Sequence, residues 1–306
     1  MSHHVLVTGG SGFIGQALCP TLLAAGFDLS VLTRDPRRAA RVLPAGVRLL
    51  ESLDALDGLP PVAALVNLAG EPLAGRRWTA ARKAAFHRSR VDFTAHLVDH
   101  FSRAGAVPAA VISGSAIGYY GPHGDEQLDE DGAVVDSFSH RLCAAWEQQA
   151  LRFEALGSRV CRLRIGVVLD QGGGALAALL PPFRLGLGGP IASGRQWMSW
   201  IHRADLVALI HHAIDREALT GAINATAPGA VTNREFAGTL GRVLRRPARI
   251  TTPGWAMRLL FGEMADELLI SGQRVYPARA LASGFQFRYP HLAPALEAIL
   301  TPSGAS

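Results

Sequence analysis

The residues near the start of the chain carry the feature that most constrains its fold. Residues 5–7 are an all-apolar run, typical of a strand buried on both faces of a parallel sheet. Glycines at positions 9, 12 and 15 follow, and a helical segment comes next. Glycine permits a sharp turn and lets backbone N–H groups approach a phosphate, while the helix N-terminus attracts negative charge. This order predicts a dinucleotide-binding βαβ unit rather than an ordinary glycine turn.

The end of the second predicted strand, over 29–33, bears on the choice of dinucleotide. A carboxylate there binds the ribose 2′-hydroxyl, whereas an arginine accepts a 2′-phosphate. Thr33 ends the strand and Arg34 follows, with more arginines beyond. The pattern therefore favours NADP(H). Asp35, one residue later, keeps NAD as an alternative, and a solvated basic helix start is another.

Further apolar runs predict more strands of the same sheet. They lie over 47–50, 62–70, 109–113, 160–168 and 221–226. Helices are predicted over 79–103 and 136–156, and another opens at Trp200. Strands alternating with helices indicate an α/β fold, a doubly wound parallel sheet of the Rossmann type.

The length of the chain, 306 residues, suits a large domain with a smaller appendage. We predict an NADP(H)-binding Rossmann domain over 1–226, with a glycine- and proline-rich substrate-side loop insertion over 170–201. A small, mainly helical C-terminal substrate domain is predicted over 227–306. Within it, residues 232–235 form a capping box that starts a helix, and residues 285–287 form a small strand.

Composition argues against several classes of protein. Hydrophobic residues make up 49% of the chain, which permits a sizeable core, and no apolar run is long enough to span a membrane. The three cysteines show no metal-ligand spacing. The net charge of +5 is spread without interleaved aromatic residues, which favours an anionic small molecule over nucleic acid. We expect a cytoplasmic monomer or homodimer without a metal.

Longer motifs extend the pattern over nearly the whole chain. The segments TGGSGFIG, VNLAG, SGSAIGYYG, RIGVVL and WIHRADL make it resemble the extended branch of the short-chain dehydrogenase/reductase superfamily. LPPFRLGLGGPIASGRQWMSWIH, NATAPGAVTNREFA and GEMADELLISGQRV are similar to nucleoside-diphosphate-sugar-epimerase-like proteins, which carry a C-terminal domain of unassigned function. The resemblance implies that NADP(H) is bound by Gly9, Gly12, Phe13, Ile14, Gly15, Thr33, Arg34, Leu68, Ala69, Gly70, Arg90 and Val168.

Arg90 also attracts attention from helical spacing alone. It lies on an apolar stripe formed by Phe86, Phe93, Leu97 and Phe101. A guanidinium on an inward face needs an anion or a dense set of acceptors. We predict that it contacts the cofactor, and the alternative is a rim arginine whose charged head reaches water.

The catalytic residues depart from the superfamily pattern. The superfamily uses a tyrosine, a lysine four residues later that lowers the tyrosine pKa, and an upstream serine, which Ser115 matches. Alignment on Glu147 puts Ser139 in the place of the tyrosine and Cys143 in the place of the lysine. The single lysine of the chain, Lys83, has no tyrosine four residues before it, so the couple is absent.

Two tyrosines follow the fifth predicted strand, where α/β sheets place their chemistry. A phenol with an ordinary pKa of about 10 is a poor base at neutral pH but still donates a proton. We predict that Ser115 polarises a carbonyl and that Tyr119 or Tyr120 protonates it. Tyr119 is favoured because extended members carry the tyrosine of their Val-Tyr-Gly turn four residues after the serine. Both phenols could instead simply pack the cleft. The weaker acid–base candidates are His202, Glu71 and Glu147.

Two functions therefore remain open. The first is an NADP(H)-dependent reductase or epimerase-like enzyme acting on a carbonyl or nucleotide-sugar-type small molecule. The alternative, motivated by the missing Tyr-x-x-x-Lys couple, is a catalytically silent NADP(H)-binding regulatory or sensor protein. Turnover of NADPH with such a substrate separates the two.

Overall fold

The computed structural model describes residues 3–301. Its strands are β1 (His4–Thr8), β2 (Asp28–Leu32), β3 (Arg48–Leu50), β4 (Ala64–Asn67), β5 (Ala110–Ala116), β6 (Gln127–Leu128), β7 (Arg159–Ile165), β8 (Val167–Leu169), β9 (Trp197–Met198), β10 (Trp200–His202), β11 (Gly221–Ala225), β12 (Val231–Thr232) and β13 (Arg274–Val275).

The α-helices are α1 (Gly15–Ala24), α2 (Pro36–Val42), α3 (Ala80–His87), α4 (Phe93–Ala104), α5 (Phe138–Leu151), α6 (Gly174–Arg184), α7 (Arg203–Asp215), α8 (Asn233–Leu244), α9 (Gly254–Phe261), α10 (Glu263–Ala265), α11 (Ala278–Ala282) and α12 (Leu292–Leu300). Two π-helical turns, Arg88–Asp92 and Asp266–Ile270, follow α3 and α10, and a 3-10 turn, Ile117–Tyr120, follows β5. No helix within the described part of the chain is both long and apolar enough to cross a membrane.

Seven strands form one parallel sheet in the order β11-β7-β5-β4-β1-β2-β3. The strand order reverses beside β1, because β2 lies on one side of it and β4 on the other. Doubly wound sheets bind their ligands at the carboxyl ends of the strands at such a reversal. The predicted α/β fold of the Rossmann type is confirmed.

The central strands are buried on both faces because helices cover the sheet from both sides. Every residue of β1 and β4 is buried. Leu18 of α1 and Ile210 of α7 belong to the apolar cluster on one face, and Leu97 and Phe101 of α4 belong to the cluster on the other. This burial explains why the strands are continuous apolar runs without alternation.

A second apolar core lies outside the main sheet. It joins α6, α8 and α12 through residues such as Leu180, Phe236 and Leu296. The helix contributed by residues 170–201 therefore shares its core with C-terminal helices. Phe285, next to α11, instead packs into the main core.

Three local predictions were wrong. The predicted strand over 160–168 is interrupted at Gly166, which lies against the Ser199 carbonyl, so β7 belongs to the main sheet while β8 pairs with β10 outside it. Residues 285–287 do not form a strand, because Phe285 and Phe287 pack ring against ring at a centroid distance of 4.9 Å while their backbone lies outside any ladder. No helix opens at Trp200, which instead starts β10, paired in parallel with β8. The helix begins at Arg203, with the His202 ring accepting from the Ala204 N–H as its N-cap. The capping box at residues 232–235 is confirmed.

Candidate functional site

The glycine turn rests directly on the end of β4. Gly9 has a φ of +71°, and a Cβ there would lie 2.7 Å from the Leu68 carbonyl group. The Leu68 N–H donates to the Thr8 carbonyl over 3.1 Å, and the Ala69 N–H reaches the Thr8 hydroxyl over 3.3 Å. Only glycine permits this approach of the two strand ends. The predicted residues Gly9, Leu68 and Ala69 are therefore neighbours.

The first turn of α1 supplies no negative charge of its own. Ile14 precedes the helix without a side-chain cap, and its first turn, which starts at Gly15, contains no acidic residue. The positive end of the helix dipole is thus left without a carboxylate from the first turn. Phe13 lies under residues 173–174 and under the Arg203 guanidinium, which is 5.0 Å from the ring centroid.

Val168 lies close to Phe13, beside Gly174. A Cβ at Gly174 would lie 3.0 Å from the Val168 carbonyl oxygen and 3.2 Å from the Phe13 ring. The structure therefore places the predicted residues Phe13 and Val168 next to the same glycine.

Arg34 and Asp35 differ sharply in what they bind. The Asp35 carboxylate caps α2 by accepting from the Arg38 N–H over 2.9 Å. The Arg34 side chain is 93% exposed and reaches Glu71 only at 3.4 Å. A carboxylate that already caps a helix is less available to a ribose hydroxyl. Arg34, next to Thr33, is then the side chain at the strand end that is free to receive an anion.

Arg90 lies in the π-helical turn and points at the end of β4. A Cβ at Gly70 would lie 2.8 Å from its guanidinium carbon, which is 5.3 Å from the centroid of the Trp146 ring. Its one hydrogen bond within residues 3–301 is a contact of 3.5 Å with the Ser89 hydroxyl. Burial lowers the pKa of Arg90, and the charges of Cys143 and Glu71 offset this only in part. A cation so poorly satisfied by its own chain suits a ligand.

Ser115 is tied to a buried ion network. Its hydroxyl donates to Glu147 Oε1 over 2.7 Å. The same carboxylate accepts from Arg162 Nη1 over 2.9 Å and from Arg164 Nε and Nη2 over 2.9 and 3.1 Å. Burial alone would lower the pKa of Arg164, but the hydrogen bonds and charge of Glu147 outweigh it and raise that pKa. The Ser115 hydrogen is therefore engaged by Glu147, and the Ser115 oxygen can act toward a ligand only as an acceptor.

Tyr120 is a buried residue of this network. It has no exposed surface, donates to Asn224 Oδ1 over 2.6 Å and accepts from Arg164 Nη1 over 3.0 Å. Burial raises the pKa of Tyr120 to about 12, while Arg164 and Asn224 oppose the rise. This differs from the ordinary phenol expected from the sequence, and the geometry makes Tyr120 a support for Arg164.

Tyr119, unlike Tyr120, is only partly enclosed by the protein. It is half-buried, and the Arg164 guanidinium carbon is 3.5 Å from its ring centroid. The His140 ring packs edge-on at 5.4 Å and hydrogen-bonds the Tyr119 carbonyl oxygen. Its hydroxyl has no hydrogen-bond partner among residues 3–301. Of the two phenols, only Tyr119 keeps a free hydroxyl.

The residues in the places of the missing couple face the same turn. A Cβ at Gly118 would lie 3.0 Å from Ser139 Cβ and 3.8 Å from Cys143 Sγ. Burial, reinforced by Glu147, raises the pKa of Cys143 to about 12. The thiol is thus neutral at physiological pH and cannot replace the charge of a lysine. The Ser139 hydroxyl is buried without a partner in the described part of the chain.

The weaker candidates have structural partners. His202 caps α7 and stacks on Tyr289, and burial lowers its pKa. Glu71 contacts Arg34. Sequence reasoning missed the roles of Arg162 and Arg164, although arginines at alternate positions of a buried strand are a signal for an internal carboxylate. Within residues 3–301, no group of three or more His, Cys, Asp or Glu side chains could hold a metal ion.

Comparisons with known proteins cover both parts of the chain. A model for the NAD dependent epimerase/dehydratase family matches residues 5–225, and a domain of unknown function (DUF1731) matches residues 252–299. The human epimerase family protein SDR39U1 is 39% identical over 300 residues, covering 97% of this chain and 99% of that protein. Its chloroplastic homologue from Arabidopsis thaliana is 39% identical over 302 residues, covering 97% and 86%. The crystal structure of human SDR39U1 (isoform2) with NADPH matches with a TM-score of 0.85 at 37% identity, covering 97% of this chain and 98% of that one.

Proposed function

This chain belongs to the NAD dependent epimerase/dehydratase family, and from that premise we propose that it is an NADP(H)-dependent reductase or epimerase-like enzyme. Its substrate is a carbonyl compound or a nucleotide-sugar-type small molecule. The position of Tyr119 carries the proposal. Its hydroxyl is free, its ring is held between Arg164 and His140, and it follows β5 at the carboxyl edge of the sheet. A phenol held there is suited to donate a proton to a substrate oxygen.

The residues of the chain fit NADP(H). The glycine turn and the uncapped N-terminus of α1 suit the pyrophosphate, and Arg34 with Thr33 suits the 2′-phosphate. The nicotinamide half of the cofactor is then contacted by residues 68–70, Arg90 and Val168. The human relative crystallised with NADPH supports the same cofactor here.

The chemistry needs one hydride and one proton. NADPH supplies the hydride when it is bound. Tyr119 donates its phenolic proton to the carbonyl oxygen and recovers a proton from water. The role expected of Ser115 changes, because its hydrogen is engaged by Glu147. We propose that it orients the substrate by accepting a hydrogen bond from a hydroxyl.

The test is a screen of carbonyl compounds and nucleotide sugars with NADPH, followed by absorbance. We expect at least one substrate to oxidise NADPH at a rate that Tyr119→Phe lowers. Turnover that is equal in the parent and in Tyr119→Phe contradicts the assignment of the proton donor.

A second candidate is a catalytically silent NADP(H)-binding regulatory or sensor protein. The neutral thiol of Cys143 and the buried hydroxyl of Ser139, which replace the lysine and tyrosine, favour it. It predicts NADPH binding without turnover of any compound in the screen.

A further inference from the structure

We propose that residues 263–273, in the region of unknown function, position the catalytic groups, and that Glu267 and Gln273 are the positioning residues. This inference rests on the proposed function. Residues 263–273 contact three elements around the candidate site. These elements are the first turn of α5, the turn that carries Tyr119, and the helix that leads to Arg90.

Glu267 holds the first turn of α5. Its Oε1 accepts from the Phe138 N–H and its Oε2 from the Ser139 N–H, both over 2.8 Å. Ser137 accepts from the next amide, that of His140. No Lys, Arg or His side chain within residues 3–301 pairs with Glu267, so the helix dipole and these two amides balance its charge. The turn that carries Ser139 is thus anchored by the C-terminal region.

Gln273 holds the turn that carries Tyr119. It is buried, and its Nε2 donates to the Gly121 carbonyl oxygen over 2.7 Å. The Gly272 carbonyl accepts from the His123 N–H over 3.0 Å on the same side. Gly121 has a φ of +72°, and a Cβ there would overlap the Val135 carbonyl, so this backbone conformation requires glycine. The bond from Gln273 fixes the end of the turn two residues after Tyr119.

Glu263 and Met264 contact the third element, the helix α3 that leads to Arg90. Lys83 Nζ lies 2.5 Å from Glu263 Oε2. Met264 is buried in an apolar cluster with Trp78, Phe86 and Trp146. Lys83 and Phe86 belong to α3, which runs into the π-helical turn of Arg90. The stretch therefore sets the spacing between Arg90, α5 and Tyr119.

This arrangement predicts that substitution of Glu267 or Gln273 weakens binding of the nicotinamide half of the cofactor only. Gly9 rests on the end of β4, and Arg34 follows β2, so the main sheet places both residues. Loss of Glu267 or Gln273 should loosen the groups around the nicotinamide while leaving the adenosine half as it was. A role in folding alone would weaken both halves together.

The experiment compares dissociation constants for NADPH and for 2′-phospho-ADP-ribose, which lacks the nicotinamide ring, in the full-length protein. The variants are Glu267→Gln, which replaces one acceptor oxygen by a donor, and Gln273→Met, which keeps the length but removes the donor. Asp266→Asn is the matched control, because Asp266 pairs with Arg258 over 2.7 Å inside the region. We expect each variant to weaken NADPH about 3- to 10-fold and the fragment less than about 2-fold, with no change in the control.

The outcomes separate the two proposals. Equal weakening of both ligands, or no weakening, overturns the inference and leaves the proposed function standing. Failure of both variants to fold also overturns it, because the stretch is then a folding element. A parent protein that does not bind NADPH at all overturns the proposed function itself.

Discussion

The Ser115 hydroxyl and the Glu147 carboxylate are 2.7 Å apart, and the same carboxylate binds Arg162 and Arg164. A carboxylate between two guanidinium groups only accepts hydrogen bonds, so Ser115 is the donor. Arg164 in turn lies against the ring of Tyr119. The pair thus connects the serine at the end of β5 to the candidate proton donor through one buried charge network.

Removal of the Glu147 charge should be strongly destabilising. Glu147→Gln leaves Arg162 and Arg164 without the anion that compensates them, and Glu147 is only 3% exposed. We expect a loss of about 3–5 kcal/mol in the free energy of unfolding, measured by urea denaturation. Asp136→Asn, which breaks the exposed pair with Arg141, is the control and should cost less than about 1 kcal/mol. Similar losses in the two variants would contradict the burial argument.

Arg34 should discriminate between the two nicotinamide cofactors. If it binds the 2′-phosphate, Arg34→Ala should weaken NADPH by about 1.5–3 kcal/mol, the scale of a charge-assisted hydrogen bond, and leave NADH nearly unchanged. Calorimetric titration with both cofactors measures the difference. Arg41→Ala, in the last turn of α2, is the control. Equal losses for NADPH and NADH would refute the assignment.

Arg90 should matter for binding and not for folding. Arg90→Met keeps the length of the side chain and removes the guanidinium group, which lies 5.3 Å from the Trp146 ring centroid and whose one internal hydrogen bond, within residues 3–301, is long. We expect unchanged stability and a loss of about 1.5–3 kcal/mol in NADP(H) affinity. Arg88→Met changes an exposed arginine of the same π-helical turn and should bind normally. Normal binding by Arg90→Met would make Arg90 a rim residue.

Local chemistry explains which parts of the molecule could be predicted from sequence. The glycine turn, the alternation of strands and helices and the capping box follow from turn residues and periodicity, which neighbouring residues encode. Contacts such as Gln273 with Gly121 join residues 152 positions apart, and no local pattern specifies them. Residues 285–287 show the converse error, because an alternating aromatic pattern serves ring packing here and not strand pairing. The Arg90 and Tyr119 assignments, which concern bound ligands, stay predictions.

Glu130 should make stability depend on pH. Its Oε1 accepts from the amides of Asn224 and Arg279, while its Oε2 is buried without a partner in the part of the chain that the structure describes. Burial raises the pKa of Glu130, and the two amides oppose the rise. For an acid with a raised folded pKa, the stabilisation is complete below the unfolded pKa of about 4.3 and is lost as pH rises through the folded value.

The corresponding variant, Glu130→Gln, keeps one acceptor oxygen and cannot ionise. We therefore expect the parent to lose unfolding free energy relative to the variant as pH rises from about 4 to about 8. Urea denaturation across that range gives the difference. Parallel pH profiles would show that Glu130 is not the titrating group.

The two neighbouring tyrosines should separate into one that affects catalysis and one that affects stability. Tyr120→Phe removes the hydroxyl that bonds Asn224 and Arg164, and it should cost about 1–3 kcal/mol in unfolding free energy because the buried Asn224 Oδ1 acceptor loses its donor. Tyr119→Phe removes a hydroxyl without an internal partner, so stability and NADPH affinity should hold. Once a substrate is known, single-turnover hydride transfer in the Tyr119→Phe variant should be about 10²- to 10⁴-fold slower than in the parent. Ser115→Ala should also slow this step with NADPH binding intact. Reduction should be favoured over oxidation at neutral pH, because the chain has no Tyr-x-x-x-Lys couple to supply a base. If Tyr119→Phe and Ser115→Ala both turn over like the parent, neither residue takes part in the chemistry, and the acid–base groups must be sought elsewhere in the cleft.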